Sequence, residues 1–260
     1  MPAETGRIPP GQPASTAIHR AIAPEAAPIP GRSELQGVRE CGTLPVLSAL
    51  RELLPRGGLA RGSVVAVAEF GLLCLALLAG ASAAAAWCGL AGLPEAGVLA
   101  AVGLGLDAER TLLVPDPGPA WPQVVASLLD GCEIVLLRPP EHATAQMRRR
   151  LEATLRRGRG VLLVTGPWPG AQVRLRVVTR RWTGLGDGHG RLRACCAEVR
   201  ADGRGEPVMT RTRWLWLPAE DGTVTVADPV DLPADFPVDF PAAGLPSARA
   251  EPVLRAVSGG

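Results

Sequence analysis

Lysine, asparagine and tyrosine are absent from this 260-residue chain, so all 27 of its positively charged side chains are arginines. These three residues have AT-rich codons, and a GC-rich genome accounts for their absence from a protein surface. The missing lysine excludes one kind of site directly, the phosphate-binding loop in which a lysine ammonium holds nucleotide phosphates. The net charge of +2 is too small to predict nucleic-acid binding from total charge.

Metal-ligand spacing is also missing from the sequence. The cysteines form no CxxC pair and no Cys/His ligand pattern, so no metal site is predicted. No signal peptide is visible at the N-terminus, and thiols in apolar surroundings are typical of reduced core residues in a cytoplasmic protein. The cysteines are Cys41, Cys74, Cys88, Cys132, Cys195 and Cys196.

A long uncharged run lies between Glu69 and Glu95. The run is long enough to cross a bilayer, so a membrane-associated protein held by residues 71–93 is one alternative. Glycine and alanine dominate its second half, however, and no cluster of arginines beside either end sets an orientation. A buried helix followed by a buried strand explains the same run, and we favour that interpretation.

Both ends of the chain are predicted to be disordered. Residues 1–33 are rich in proline and alanine and show no sustained hydrophobic period. Residues 228–260 interleave proline and aspartate with a few apolar residues, which makes an acidic, proline-rich tail. Residues 34–227 remain as one folded domain, which is long enough to bury one good core.

Short apolar strands alternate with helices over residues 43–165, which predicts a parallel sheet covered by helices on both faces. The predicted strands are 63–68, 87–91, 111–114, 134–137 and 161–164. The predicted helices are 45–54, 72–86, 94–102, 121–129 and 141–157. Residues 171–227 change to hairpin patterns, with strands at 173–182, 192–200, 214–217 and 223–226, and predict an antiparallel extension of the same sheet.

Three segments of the parallel region resemble the RecA core, an ATP-binding fold of the P-loop NTPase type. The segment Leu53–Val67 reads LLPRGGLARGSVVAV and resembles the glycine-rich entrance to the first RecA strand. The segment Val114–Gly118 reads VPDPG and resembles the RecA strand that ends in Pro-Asp before a helix. The segment Asp130–Arg138 reads DGCEIVLLR and resembles the helix end and strand that carry the second nucleotide motif. The resemblance covers about residues 43–165 and implies a RecA-like α/β fold.

The positions that would carry ATP chemistry are occupied by unsuitable residues. A phosphate loop needs glycines, a lysine and a hydroxyl, but this chain has Glu69, Phe70 and Gly71 there, with Leu75 near the lysine position. The aspartate that would hold Mg²⁺ falls at Arg138, and the catalytic glutamate falls near Leu93, two residues before Glu95. We therefore expect neither ATP hydrolysis nor a bound cofactor.

Among RecA relatives, a degenerate chain of this length resembles the actinobacterial ImuA-type accessory protein of the mutasome. The resemblance implies a non-catalytic adaptor in damage-induced translesion DNA synthesis. It also implies direct contact with an ImuB-like Y-family polymerase homologue and, through it, with an error-prone C-family replicative polymerase. An ATP-dependent RecA-like DNA-binding protein and a SulA-like cell-division inhibitor are the alternatives.

Arginines are concentrated on the predicted hairpin. Strict alternation places Arg174, Arg176 and Arg180 on one face, with Arg191 and Arg193 on the next strand. A basic sheet face can bind nucleic-acid phosphates. An exposed edge hairpin also needs charge simply to stay soluble, so both interpretations are open.

Two aromatic features complete the set of candidate residues. Trp214 and Trp216 point the same way on one strand, where they either stack on unpaired bases or belong to a core or interface. The acidic tail places its apolar residues between aspartates, a pattern typical of segments that fold into a partner's groove, although a plain solvated tail is the alternative. These candidate partner-binding residues are Leu232, Phe236, Val238 and Phe240.

Overall fold

A computed structural model describes residues 42–186, 189–204 and 210–228 of the chain. The predicted N-terminal tail, most of the predicted C-terminal tail and the four candidate partner-binding residues of that tail lie outside the described residues. The two proposed disordered segments therefore stay predictions.

One large mixed sheet organises the described residues, in the strand order β13-β12-β11-β8-β3-β7-β6-β4-β5. The sheet strands are β3 Val64–Val67, β4 Cys88–Ala91, β5 Thr111–Val114, β6 Ile134–Leu137, β7 Val161–Thr165, β8 Val173–Trp182, β11 Cys195–Gly203, β12 Thr210–Trp216 and β13 Thr225–Val226. Four short strands pair outside it, β1 Thr43–Leu44 with β2 Leu59–Ala60, and β9 Leu185–Gly186 with β10 His189–Gly190. In the spatial order of the sheet, neighbouring strands are parallel from the β5 edge through β4, β6, β7 and β3 to β8. Neighbouring strands are antiparallel from β8 through β11 and β12 to the β13 edge.

Helices connect the parallel strands and cover the two faces of the parallel part. The α-helices are α1 Leu72–Ser82, α2 Val98–Gly103, α3 Trp121–Gly131 and α4 Ala145–Gly158, and Ser48–Leu53 and Ala108–Arg110 form short 3-10 helices. The first core cluster joins α1, α2 and the 3-10 helix Ser48–Leu53 to one face of the sheet, which we call the first face. The second cluster joins α3 and α4 to the opposite, second face. The alternation of strands and helices thus gives the mixed α/β architecture that the sequence predicts.

The two faces are covered over different lengths of the sheet. The first cluster continues along the antiparallel strands, where it includes Val173, Val199 and Leu215. The second cluster contains residues of β3, β4, β6 and β7 but none of β8, β11 or β12. Beyond β3, no described helix therefore packs on the second face of the sheet.

The long uncharged run forms α1 and then β4, as the buried-helix interpretation predicts. Ten of the eleven residues of α1 are buried, and so are all four residues of β4. Burial on all sides explains why the helix has no polar stripe in its sequence. Among the helices of the described residues, none combines the length and the apolar character that crossing a bilayer requires.

Most predicted strands are confirmed to within a residue or two, but the strand predicted at 214–217 begins at Thr210. The helices predicted at 94–102 and 141–157 begin four residues later, and the helix predicted at 45–54 is a short 3-10 helix. The hairpin also differs in two ways. Its second strand begins at Cys195 and not at residue 192, so Arg191 and Arg193 lie in the connection before it. A β-bulge also shifts the register, because Glu198 pairs with Thr179 while the next residue, Val199, pairs with Val177. The extra residue, Val178, reverses the alternation for the rest of β8.

Five cysteines lie in the described residues, and all of them are buried free thiols. Burial raises the pKa of Cys74, Cys88 and Cys132 from 9.0 to about 12, and that of Cys195 to about 11. Desolvation of the thiolate is the largest cause in each case. The neutral thiol is thus the form that the folded state favours.

We predict that the free energy of unfolding falls as the pH rises from about 9 to about 11. In this window the unfolded chain loses thiol protons that the folded chain keeps, so the slope is negative, at most about 1.4 kcal/mol per pH unit and thiol. Lysine and tyrosine, the other side chains that titrate there, are absent. Urea unfolding across this pH range measures the slope.

The control is Cys88→Ala, which should make the slope shallower by one thiol even if it lowers stability at every pH. Stability that stays flat over the same pH range would contradict the assignment of these raised pKa values.

Candidate functional site

The predicted phosphate-loop position lies at the carboxyl end of β3, where α/β sheets commonly form ligand crevices. Glu69, Phe70 and Gly71 connect β3 to α1 and are partly buried. Leu75, near the position that a lysine would occupy, is 3% exposed and belongs to the first core cluster. A side chain at this position therefore points into the core.

Glu69 forms an ion pair with Arg180, a residue of β8 that is 111 positions away in the sequence. An Nη atom of Arg180 donates to Oε1 of Glu69 at 2.6 Å, and the two side chains are 29% and 34% exposed. A carboxylate therefore stands just before the N-terminus of α1, where a phosphate would otherwise bind. The arginine that could have attracted a phosphate already neutralises this carboxylate.

Arg138 occupies the second nucleotide position, directly after β6. Its guanidinium lies over the ring of Phe70, 5.5 Å from the ring centroid, and forms an ion pair with Glu95. The backbone of Arg138 packs against Gly92, which has φ +73° and at which a Cβ would be 2.7 Å from the carbonyl oxygen of Arg138. Leu93, near the catalytic-glutamate position, is fully buried in the core.

These residues form one group, which we call the carboxyl-edge cluster and define as Glu69, Phe70, Glu95, Arg138 and Arg180. Its two carboxylates and two guanidiniums pair with each other. Binding of a nucleotide phosphate requires unpaired cationic or N–H donors, and binding of Mg²⁺ requires unpaired oxygens. Within the described residues, no three Asp, Glu, His or Cys side chains come together as a metal site would need.

The prediction that Arg180 shares a face with Arg174 and Arg176 is wrong. The bulge at Val178 pairs Arg180 with Ala197, whose side chain belongs to the first core cluster, so Arg180 faces that side. Arg174 and Arg176 face the opposite way and are exposed. The cause is the extra residue in the strand, which no alternation pattern in the sequence reveals.

The remaining candidate arginines lie apart from both groups. Arg191 and Arg193 are exposed in the connection before β11, and they line a surface depression with Leu192 and Glu220. Their backbone N–H groups donate to the carbonyls of Gly184 and Thr183. They do not continue the row of Arg174 and Arg176.

Trp214 and Trp216 share one face, as predicted, and neither is fully buried. The register with β11 places them opposite Glu198 and Cys196 on the second face of the sheet. Arg181, which the bulge also turned, lies with its guanidinium 5.8 Å from the centroid of the Trp214 ring. The structure thus adds Arg181 to the candidate residues in the place of Arg180.

An apolar surface at the other end of the sheet escaped the sequence analysis. Strand β5 is the edge strand of the sheet, and α2 lies in the connection between β4 and β5 and packs on the first face through Ala101. Leu99 is 88% exposed, and the large apolar residues exposed with it are Val98, Val102, Leu112 and Leu113. We call these five residues the apolar edge. Two adjacent leucines on a strand signal two apolar faces, but the sequence does not show that one face lacks a cover.

Comparison with known proteins adds two similarities. Residues 52–170 match the MT3502 N-terminal domain family. An uncharacterized protein of Mycobacterium tuberculosis, Rv3395c, is 35% identical over 128 residues, which are 48% of this chain and 63% of that protein. The chain thus spans less than two thirds of the mycobacterial relative. The family match ends just after β7, so it covers the parallel strands and stops before the antiparallel extension.

We predict that Glu69→Gln and Arg180→Gln each lower the free energy of unfolding by about 1 kcal/mol, because each leaves a partly buried charge without its partner. A double-mutant cycle should give a coupling of about 0.5–1 kcal/mol. Urea unfolding of the wild type, the two single variants and the double variant measures it.

The matched control is the pair between Glu52 and Arg213, whose side chains are 68% and 47% exposed. A similar cycle on this pair should give a coupling close to zero, since water screens it. Equal couplings for both pairs would contradict a structural role for the Glu69–Arg180 contact.

Proposed function

We propose that this protein is a non-catalytic adaptor of a damage-induced translesion synthesis complex in the cytoplasm. Its direct partner is an ImuB-like Y-family polymerase homologue, through which it meets an error-prone C-family replicative polymerase. The observation that carries the proposal is the carboxyl-edge cluster, in which every charged group is paired with another group of the same chain.

The pairing supports a role without ATP chemistry for an energetic reason. A nucleotide could use Arg138 or Arg180 only after their ion pairs with Glu95 and Glu69 broke. The freed carboxylates would then stand beside the phosphates and repel them. This cost disfavours the alternative of an ATP-dependent RecA-like protein. Among the described residues, no contact favours a SulA-like inhibitor over an adaptor.

The apolar edge supports a role in binding another protein. Exposed large apolar side chains grouped along one sheet edge mark interaction sites more often than isolated ones do, and here Leu113 points to the first face and Leu112 to the second. Strand β5 contains no charged residue and no proline, the usual means of protecting a free sheet edge. A segment of a partner protein could therefore pair with β5 as an additional strand, and side chains of that segment could cover α2. The described domain thus offers a second docking surface besides the predicted one in the tail.

The comparisons support the proposal only in a general way. A mycobacterial relative fits the actinobacterial origin that the resemblance to ImuA-type proteins implies. The matched segment includes all residues of the carboxyl-edge cluster except Arg180. The adaptor role itself rests on the resemblance and on the paired cluster.

Co-purification with the ImuB-like partner tests the proposal. We expect capture by the full-length chain and loss of capture by a chain that ends at Ala227, because the truncation removes Phe236 and Phe240 as apolar anchors. A third protein, full-length Leu99→Glu, tests the apolar edge. Since Leu99 is 88% exposed, this substitution should leave folding intact.

The matched control is Leu192→Glu, which places the same substitution at a leucine that is 50% exposed elsewhere on the surface. Loss on truncation alone would place the contact in the tail, and loss in Leu99→Glu alone would place it on the apolar edge. No capture by the full-length wild type would contradict the adaptor proposal.

A further inference from the structure

We propose that the second face of the antiparallel extension binds single-stranded nucleic acid, with bases on two tryptophans and phosphates on the surrounding arginines. We call this surface the extension face and define it as Arg174, Arg176, Arg181, Arg200, Trp214 and Trp216. The inference does not depend on the adaptor role.

The strand register places these six residues on one surface. Arg176 pairs with Arg200, while Arg181 and Trp216 both pair with Cys196. The inward neighbours Val199 and Leu215 belong to the first core cluster, so the residues that alternate with them point to the second face. Without the bulge at Val178, Arg181 would lie on the opposite side of the sheet.

The two tryptophans are suitably placed for stacking. Trp214 and Trp216 are two residues apart on β12, so their side chains leave the sheet about 7 Å apart. Neither ring belongs to a core cluster. Arg181 lies over the ring of Trp214, a cation–π contact that places a positive charge beside the ring. Bases of any sequence can stack on such rings.

The charges favour a polyanion. Asp202 accepts hydrogen bonds from Arg200, at 3.1 Å, and from Thr210, at 2.8 Å, and forms an ion pair with Arg176, at 3.9 Å. Glu198 is the other carboxylate of the face, so the four arginines outnumber the two acids. Arg181 lies beside the Trp214 ring and Arg174 is exposed farther along β8, so positive charge flanks the aromatic rings, as a ligand with flat bases and a charged backbone requires.

The basic surface continues onto α4, which packs on the same side of the sheet. Arg174 donates to the carbonyl of Pro169, and Arg148 lies over the ring of Trp168, so the two residues flank one turn. Four further arginines follow on the same helix, at Arg149, Arg150, Arg156 and Arg157. A nucleic-acid strand could thus follow arginines from β11 and β8 to α4.

A protein partner fits this face less well. The centres of protein interfaces are depleted of charge and are largely apolar. On the extension face, the buried Cys196 lies between Arg181 and Trp216, and the other residues beside the tryptophans are Thr179, Glu198 and Thr212. Polar and charged groups thus surround the two rings, and we therefore assign the face to nucleic acid.

Fluorescence anisotropy with the full-length protein tests the proposal. The probes are a labelled oligothymidylate of about 20 nucleotides, an oligouridylate of the same length and a duplex of similar charge. We expect the wild type to bind a single strand more tightly than the duplex. The ratio of the affinities for oligothymidylate and oligouridylate shows whether DNA or RNA is the preferred ligand.

Two kinds of variant separate the contributions of bases and phosphates. Trp214→Leu and Trp216→Leu keep apolar bulk but remove the stacking surface, and each should weaken binding about tenfold. Arg174→Gln should lower the slope of log affinity against log salt by about 0.7, the value for one phosphate contact on a single strand. The control is Arg213→Gln, which lies on β12 like the two tryptophans but on the opposite face of the sheet. This substitution should change neither the affinity nor the salt slope.

Several results would overturn the proposal. These are no binding by the wild type at low salt, equal affinity for the duplex, or unchanged affinity in both tryptophan variants. Competition by polyglutamate as strong as that by unlabelled oligothymidylate would assign the face to acidic polypeptides and would also overturn it. A thermal melt of each variant establishes that a loss of binding is not a loss of folding.

Discussion

One extra residue in β8 determines which way several arginines of the antiparallel extension point. Val178 shifts the register between β8 and β11, so Arg180 turns toward the first face and reaches Glu69 at the carboxyl end of β3. The same shift turns Arg181 to the second face, beside Trp214. The bulge therefore contributes both to the pairing at the predicted nucleotide position and to the aromatic and basic surface of the extension.

The Glu69–Arg180 pair also joins the two parts of the sheet. It links the start of α1, in the parallel part, to the strand where the antiparallel part begins. The first core cluster continues from the parallel strands onto the antiparallel strands, whereas described helices cover the second face only over the parallel strands. The mixed α/β sheet thus has a buried core on both faces of its parallel part, while no described helix packs on the second face of its antiparallel part.

Hydrophobic periodicity was sufficient to predict the architecture, because parallel strands are buried on both faces and appear as short apolar runs. It was also sufficient to predict that Trp214 and Trp216 share a face. It could not predict the bulge, since Val178 looks like an ordinary strand residue and the shift depends on pairing with β11. It could not predict the partners of Glu69 and Arg138 either, because contacts between residues far apart in the sequence leave no local pattern. The exposure of Leu99 depends on which strand lies at the sheet edge, a property of topology.

The central claim is that residues of this chain fill the position where a RecA-like fold would hold nucleotide phosphates. Titration calorimetry of the full-length protein with Mg²⁺ and ATP tests it most directly. The account predicts no saturable heat of binding at nucleotide concentrations up to about 1 mM. Saturable binding with a Kd in about the micromolar range would contradict it, because it would require the ion pairs of Glu69 and Arg138 to open for a nucleotide.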